Sequence, residues 1–324
     1  MSRTIEVELF ASISTTSNLT GTIVVATDGT HDADGAVRVG TEIGRREQFD
    51  VAVISVVEPP TFADDGSLAD TERMTRLAIE AREGQLAAQR QRTCRTTGPF
   101  AIHVGHRVDE IVRFATQHDA SLIVMGLGSH GVMARLLHRE TALRVARTAA
   151  LPVLAVPPNA GGVPRRALVG IDFSPSSETA ARAALDLLAD DGTLYLAHVV
   201  PRVPLAQNES AQCGGNNAAD ALGKLEGVRR RLNPPASVTI ELVSLHGDPA
   251  DQLLRLAERN GIDLVATGAH GRGALGRLVL GSVSTRIVRT AQAWVLVAPP
   301  QPSAGTEGAA EDAAWPTFDA QPIG

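Results

Sequence analysis

Four residues at fixed spacing, Gly268, Gly271, Gly281 and Ser282, carry the chemistry that this chain offers most plainly. They stand as Gly-x2-Gly-x9-Gly-Ser behind the apolar run 264–266, the kind of run a buried parallel strand shows. Val283, Ile287 and Val288 recur at helical spacing after them, so Gly281-Ser282 reads as the start of a helix. A strand, a glycine-rich loop and a helix N-terminus in that order make an anion site. Glycines let the backbone approach an anion such as phosphate closely, and the free N–H groups of the first helical turn point at it. Ser282 either caps the helix or donates its hydroxyl to a phosphate oxygen. No Lys follows the glycines, which excludes a Walker A loop, and the last glycine lies too far along for a dinucleotide-binding GxGxxG. A Gly-x2-Gly alone would be a turn that binds nothing. The full spacing between strand and helix favours a ligand loop.

Such a loop needs a parallel sheet to hold it, and the rest of the chain reads that way. Strands are expected at 22–27, 50–57, 100–104, 121–126 and 152–156, with helices at 33–46, 68–94, 108–117 and 139–149 between them. The stretch 157–166 (PPNAGGVPRR) is a linker by composition. The order then begins again, with strands at 167–171, 193–200, 238–243, 263–268 and 294–297. Helices fall at 175–188, 218–232, 249–260 and from Gly281-Ser282 onward. Strands alternating with helices mean crossover units and a parallel sheet. The two halves are an internal repeat. IVVATDGT (23–30) answers ALVGIDFS (167–174), and HVGHRVDEIVRFA (103–115) answers LHGDPADQLLRLA (245–257). These landmarks are offset by 144 residues (28 to 172) and 142 residues (105 to 247), near-constant as two copies of one domain demand.

The 324 residues suffice for two domains, and a composition 44% hydrophobic and 20% charged is that of a globular protein. Aromatics are only 3%, so the core must be Val, Leu, Ile and Ala. A net charge of −6 argues against general nucleic-acid binding, which wants a basic face. No apolar run approaches a membrane span. The first 20 residues carry Glu6 and Glu8 and no apolar signal segment, so a cytoplasmic protein with a loose leader is expected. Residues 300–324, rich in Pro, Ala and Gly, read as a disordered tail. Cys94 and Cys213 lack metal-ligand spacing and read as reduced thiols. No catalytic constellation and no metal site stand out.

Each half resembles a universal stress protein domain. The resemblance rests on a first strand ending in Asp (Asp28, Asp172) and a second strand carrying SVV or HVV. It rests also on the Gly-containing turn before a helix and on the closing strands PVLAV and WVLVA. It implies an α/β protein of two Rossmann-like, adenine nucleotide alpha-hydrolase-like domains, each a five-stranded parallel sheet with helices on both faces. The boundaries become 1–20 for the leader, 21–157 for the first domain, 158–165 for the linker, 166–299 for the second domain and 300–324 for the tail. The function it implies is a regulatory stress-response module that binds ATP, with Mg as an accompanying ion left open.

Carried over residue by residue, the resemblance gives Asp172 the adenine or ribose. It gives Gly170 and Ile171 the same edge by backbone, and Val199 the adenine edge. Gly268, Gly271, Gly281 and Ser282 take phosphate and ribose, and Thr267 and Val283 flank them. His270, Arg272 and Arg277 are not fixed by the motif but place positive charge within reach of a triphosphate. Ser174 is the expected N-cap, leaving Asp172 available. His198 reads as a packed strand histidine. In the first half Asp28 remains, with Gly126, Gly128 and Gly131 after the fourth strand. The later Gly-Ser is replaced within His138-Arg139-Glu140-Thr141. There Glu140 would set a negative charge at a helix start, and Arg135, His138 and Arg139 leave room for another anion.

The first site is thus expected to be degenerate. Two other functions stay open: a protein-interaction module that binds no nucleotide, and a slow ATP hydrolase. A hydrolase relative with a Ser-Gly-Gly pyrophosphate loop is disfavoured, because the positions after the first strands read DGTHD and DFSPS. The closing strands are expected to pair with each other within the chain, and homodimerisation of whole chains remains open.

Overall fold

The computed structural model describes residues 21–59, 68–93, 100–128, 132–200, 218–270 and 280–300. The expected leader, the tail beyond Pro300, both cysteines, and Gly131, Gly271, Arg272 and Arg277 lie outside the described residues, as does the side chain of Arg135.

The first half runs β1 (Thr22–Ala26), a 3-10 turn (His31–Ala33), α1 (Asp34–Glu47), β2 (Asp50–Val57), α2 (Leu68–Thr93), β3 (Phe100–Val104), α3 (Arg107–Gln117), β4 (Ala120–Gly126), α4 (Val132–Thr148) and β5 (Val153–Val156). The second runs β6 (Arg166–Gly170), α5 (Pro175–Leu187), β7 (Thr193–Val200), α6 (Ala218–Leu232), β8 (Thr239–His246), α7 (Pro249–Asn260), β9 (Leu264–Gly268), α8 (Ser282–Thr290) and β10 (Trp294–Ala298). The described strands form a single sheet in the order β3-β2-β1-β4-β5-β10-β9-β6-β7-β8. Within each half the neighbours are parallel. The expected pairing of the closing strands is observed: β5 and β10 run antiparallel, with Val153 opposite Val297, Leu154 opposite Leu296 and Ala155 opposite Val295. Every residue of both strands is buried. Two short apolar edges cover each other, which removes the exposed edge either half would carry alone.

Apolar cores lie on both faces of the sheet, and the two larger ones continue across the seam. One joins Leu143 and Phe114 to Ile287 and Leu253, beneath α3, α4, α7 and α8. The other joins Val37 and Val39 to Ala180, Ala184 and Leu225, beneath α1, α5 and α6. A smaller cluster seats Ile79 and Leu86 of α2 on Val57 and Ile102. Strand order reverses between β1 and β4 and again between β6 and β9. In sheets of this kind the crevice beyond the strand C-termini at such a point is where ligands bind.

Strand β8 runs to His246, past the expected limit at 243, and one helix departs further from expectation. Helix α4 begins at Val132, not near residue 139. The stretch 132–138 (VMARLLH) holds no glycine and several good helix formers, so the helix extends backward. In the second half the corresponding stretch of sequence carries Gly273 and Gly276, and α8 runs from Ser282. Glu140 therefore stands inside a helix rather than at its start.

Candidate functional site

In the second half the strand ends converge on a cleft of about 690 Å3, open at its mouth. Its walls bring together Gly170, Ile171, Asp172, Val199, Thr267, Gly268, His270, Gly281, Ser282 and Val283. Of the expected set Gly271, Arg272 and Arg277 are missing, all outside the described residues. Sequence reasoning did not assign Ser177, Ala197, Pro249, Leu253 or Ser284, which also line it, and gave His198 only a packing role. The repeat could have supplied one of these, since Leu253 answers Ile111, which lines the matching cleft of the first half.

The cleft's best-formed polar feature is the start of α8. Gly281 is its N-cap, and no side chain accepts from its first turn among the described residues. The neighbouring helices differ. Ser174 Oγ accepts from the Ser177 amide at 3.3 Å at the start of α5, and Asp248 Oδ1 accepts from the Asp251 amide at 2.9 Å at the start of α7. Ser284 does not cap α8. Its hydroxyl donates to the Gly268 carbonyl at 2.7 Å and lies 3.0 Å from Thr267 Oγ1, tying the first turn to the end of β9. These N–H groups, without a side-chain acceptor among the described residues, open on the cleft, and a helix start of that kind attracts anions. Beside them, both ring nitrogens of His270 are shielded from solvent and have no hydrogen-bond partner among the described residues. An unpaired buried polar group is costly, and a ligand atom would satisfy it.

The glycines serve two different ends. A Cβ on Gly268 would lie 2.6 Å from Ser176 Oγ and 2.8 Å from the Ser177 amide nitrogen. This glycine therefore lets β9 end against the start of α5, a packing role beside its place in the cleft wall. A Cβ on Gly281 would meet nothing closer than 3.6 Å. That glycine keeps the cleft open.

At the opposite wall Asp172, expected to be free of Ser174, is held by it. Its Oδ1 accepts from the Ser174 amide at 3.0 Å and the Ser174 hydroxyl at 2.5 Å, which fixes the carboxylate. The backbone of Ile171 is engaged as well: its amide donates to the Ala197 carbonyl at 2.8 Å, and its carbonyl accepts from His198 Nδ1 at 2.7 Å. A carbonyl only accepts, so His198 carries its proton on Nδ1. Phe173 stands in the left-handed region at φ 63°, where its counterpart Gly29 has φ 76°. A bulky residue there costs on the order of 1 kcal/mol. Its ring lies 4.7 Å from that of His198.

In the first half the matching cleft is lined by the chain's own ionic side chains, His138 and Arg82 among them. His138 Nε2 lies 3.1 Å from Asp28 Oδ2, while Thr30 donates to Oδ1 through its amide at 3.0 Å and its hydroxyl at 2.6 Å. Arg82 reaches from α2 to the carbonyl of Val56, the counterpart of Val199, and to Ser55 Oγ at 2.8 Å. Glu140, expected beside an anion, instead accepts from Arg289 Nε at 2.9 Å. Arg139, expected to face an anion, is buried and turned toward α8.

Burial would raise the Asp28 carboxyl, but hydrogen bonds from His138 and Thr30 outweigh it and hold the group far below the usual carboxylate range. The hydrogen bond to Asp28 pushes His138 upward, against the desolvation that opposes its charge. A lowered carboxyl contributes stability above its unfolded value, near 4, and loses it on acidification. A raised imidazole contributes below its unfolded value, near 6.5, and loses it as pH rises through the folded value. The melting-temperature difference between the protein and His138→Gln should therefore be largest between about pH 4 and 6.5 and shrink on either side. A pH-independent difference would show that the pair is not ionic.

The Universal stress protein family model matches the chain twice, over residues 20–157 and 164–299. A universal stress protein of Mycobacterium tuberculosis is 25% identical over 295 residues, covering 85% of this chain and 96% of that protein. A second from the same organism is 28% identical over 313 residues, covering 85% and 94%. Among solved structures, a universal stress protein from Archaeoglobus fulgidus superposes with a TM-score of 0.58 at 19% identity, covering 87% of this chain and 97% of that one. The chain, a tandem of two matched regions joined edge to edge in one sheet, belongs to the universal stress protein family.

Proposed function

We propose that the second half binds an adenine nucleotide, ATP, and that the chain acts as a nucleotide-binding regulatory module of the stress response. The observation that carries this reading is the start of α8, which has no side-chain cap among the described residues and opens on a cleft beside the ring nitrogens of His270, themselves without a partner among those residues. An anion at such a helix start gains about 0.3–1 kcal/mol from the helix dipole, and up to ~2 kcal/mol in partly buried geometry. Phosphate oxygens would take the amides of Ser282, Val283 and Ser284, the Ser282 hydroxyl and a proton from His270. Asp172, held by Ser174, would accept from the ribose or base end, beside the apolar walls of Val199 and Leu253.

A different reading applies to the first half. Its own His138 and Arg82 line the matching cleft and engage Asp28 and the Val56 carbonyl, which favours a structural or interaction role there. Titration calorimetry should accordingly find one ATP per chain. A micromolar dissociation constant would correspond to roughly −8 kcal/mol. Two equal sites, or no heat at millimolar ATP, would overturn the assignment.

A further inference from the structure

Helix α8 presents the proposed phosphate contacts, and it is short. Its nine residues span about 13 Å. Isolated helices of this length are marginal in water, so tertiary contacts must hold it. Its C-terminal end has no left-handed glycine: Ala291 follows at φ −58°, ψ 141°. By contrast α7 ends on Gly261 at φ 58°. The missing cap comes from the other half of the molecule. Arg139 of α4 donates from Nη1 to the Val288 carbonyl at 2.6 Å and from Nη2 to the Ala291 carbonyl at 3.0 Å. Glu140, next to it, binds Arg289. Arg139 and Glu140 fill the sequence slots that Gly281 and Ser282 fill in the second half. Gly281 has no side chain with which to reach back, so the clasp runs one way.

We infer that Arg139 is a positioning residue for the site in the opposite half: by holding carbonyls at the end of α8, it fixes where the N–H groups of Ser282, Val283 and Ser284 point. The inference rests on the nucleotide reading above. A guanidinium at the C-terminus and an anion at the N-terminus both complement the dipole of the same short rod. With the clasp gone, binding would have to order the first turn as well as occupy it, and affinity falls accordingly.

A second arginine supplies the control. Arg46 of α1 donates to the Leu188 carbonyl at 2.9 Å at the end of α5. The start of α5 is already capped by Ser174, so losing Arg46 removes a comparable contact without touching the phosphate contacts.

The test is to titrate ATP and adenosine into the parent protein, Arg139→Met, Arg139→Lys and Arg46→Met, at a temperature where circular dichroism shows each folded. Arg139→Met should bind ATP at least about fivefold more weakly, with adenosine affinity unchanged. Arg139→Lys, which keeps the charge, should recover part of the loss. Arg46→Met should bind both ligands as the parent does. Unchanged ATP affinity in Arg139→Met, or equal losses for ATP and adenosine, overturns the inference and leaves the nucleotide reading standing. A parent protein that binds neither ligand overturns both. Should Arg139→Met fail to fold, Arg139→Lys carries the comparison: selective weakening of ATP supports the inference, and an unchanged ratio of the two affinities overturns it.

Discussion

Gly281→Glu is expected to abolish ATP binding while leaving the fold intact. The backbone at 281, φ −59° and ψ 150°, suits any residue. The new Cβ would find its nearest neighbours, the Ala269 carbonyl oxygen and Ser284 Oγ, both at 3.6 Å, an ordinary contact. The side chain would extend into the cleft and set a carboxylate over the bare amides of α8. It would compete for those donors and repel a triphosphate. Loss of the favourable dipole term together with repulsion in a half-enclosed cleft should weaken binding by at least about 100-fold, or roughly 2.7 kcal/mol. Gly268→Ala serves as the contrast. Its methyl would press on Ser176 and Ser177, and such overpacking costs about 1–3 kcal/mol of stability. Calorimetric titration beside thermal melts separates the two. Near-normal ATP affinity in Gly281→Glu would show that the nucleotide does not use the start of α8.

Leu296→Ala should produce the largest loss of stability. Leu296 is fully buried and pairs across the seam with Leu154, itself fully buried. Truncating such a leucine costs about 2–5 kcal/mol, depending on how far the cavity collapses. Because the two larger cores each continue across this seam, the loss should be felt by both halves. Scanning calorimetry is expected to show one transition moved to lower temperature. Two transitions, only one of them shifted, would mean that the halves unfold independently.

Most of the sheet was legible because its signals are local. The runs at 50–57, 100–104 and 193–200 become β2, β3 and β7 with the same limits, since short apolar runs bounded by turn residues leave few alternatives. The glycine spacing and the repeat marked which strand ends would meet in the second half. What stayed hidden depends on partners far apart in the chain. His138 meets Asp28 across 110 residues, and Arg139 meets Val288 across 149. Neither pair has a spacing that a linear reading can weigh. The early start of α4 was missed for a different reason: the helix was set by analogy with its twin, while the local composition of 132–138 already favoured helix. The engagement of Asp172 was within reach, since Asp-x-Ser before a helix readily folds back on itself through the aspartate side chain.

The seam between β5 and β10 has a consequence for symmetry. An assembly of two identical one-domain chains must place every residue twice, related by the twofold axis. An arginine put in the Gly281 slot of such a dimer would brace the neighbouring subunit's helix, but it would also remove the glycine from its own subunit's cleft, and in both copies at once. Covalent fusion lifts that constraint. Here the same slot holds Arg139 in one half and Gly281 in the other. A tandem chain can therefore specialise its copies, one as brace and one as receptor, at a fixed ratio of one to one, which no homodimer of a single domain can encode.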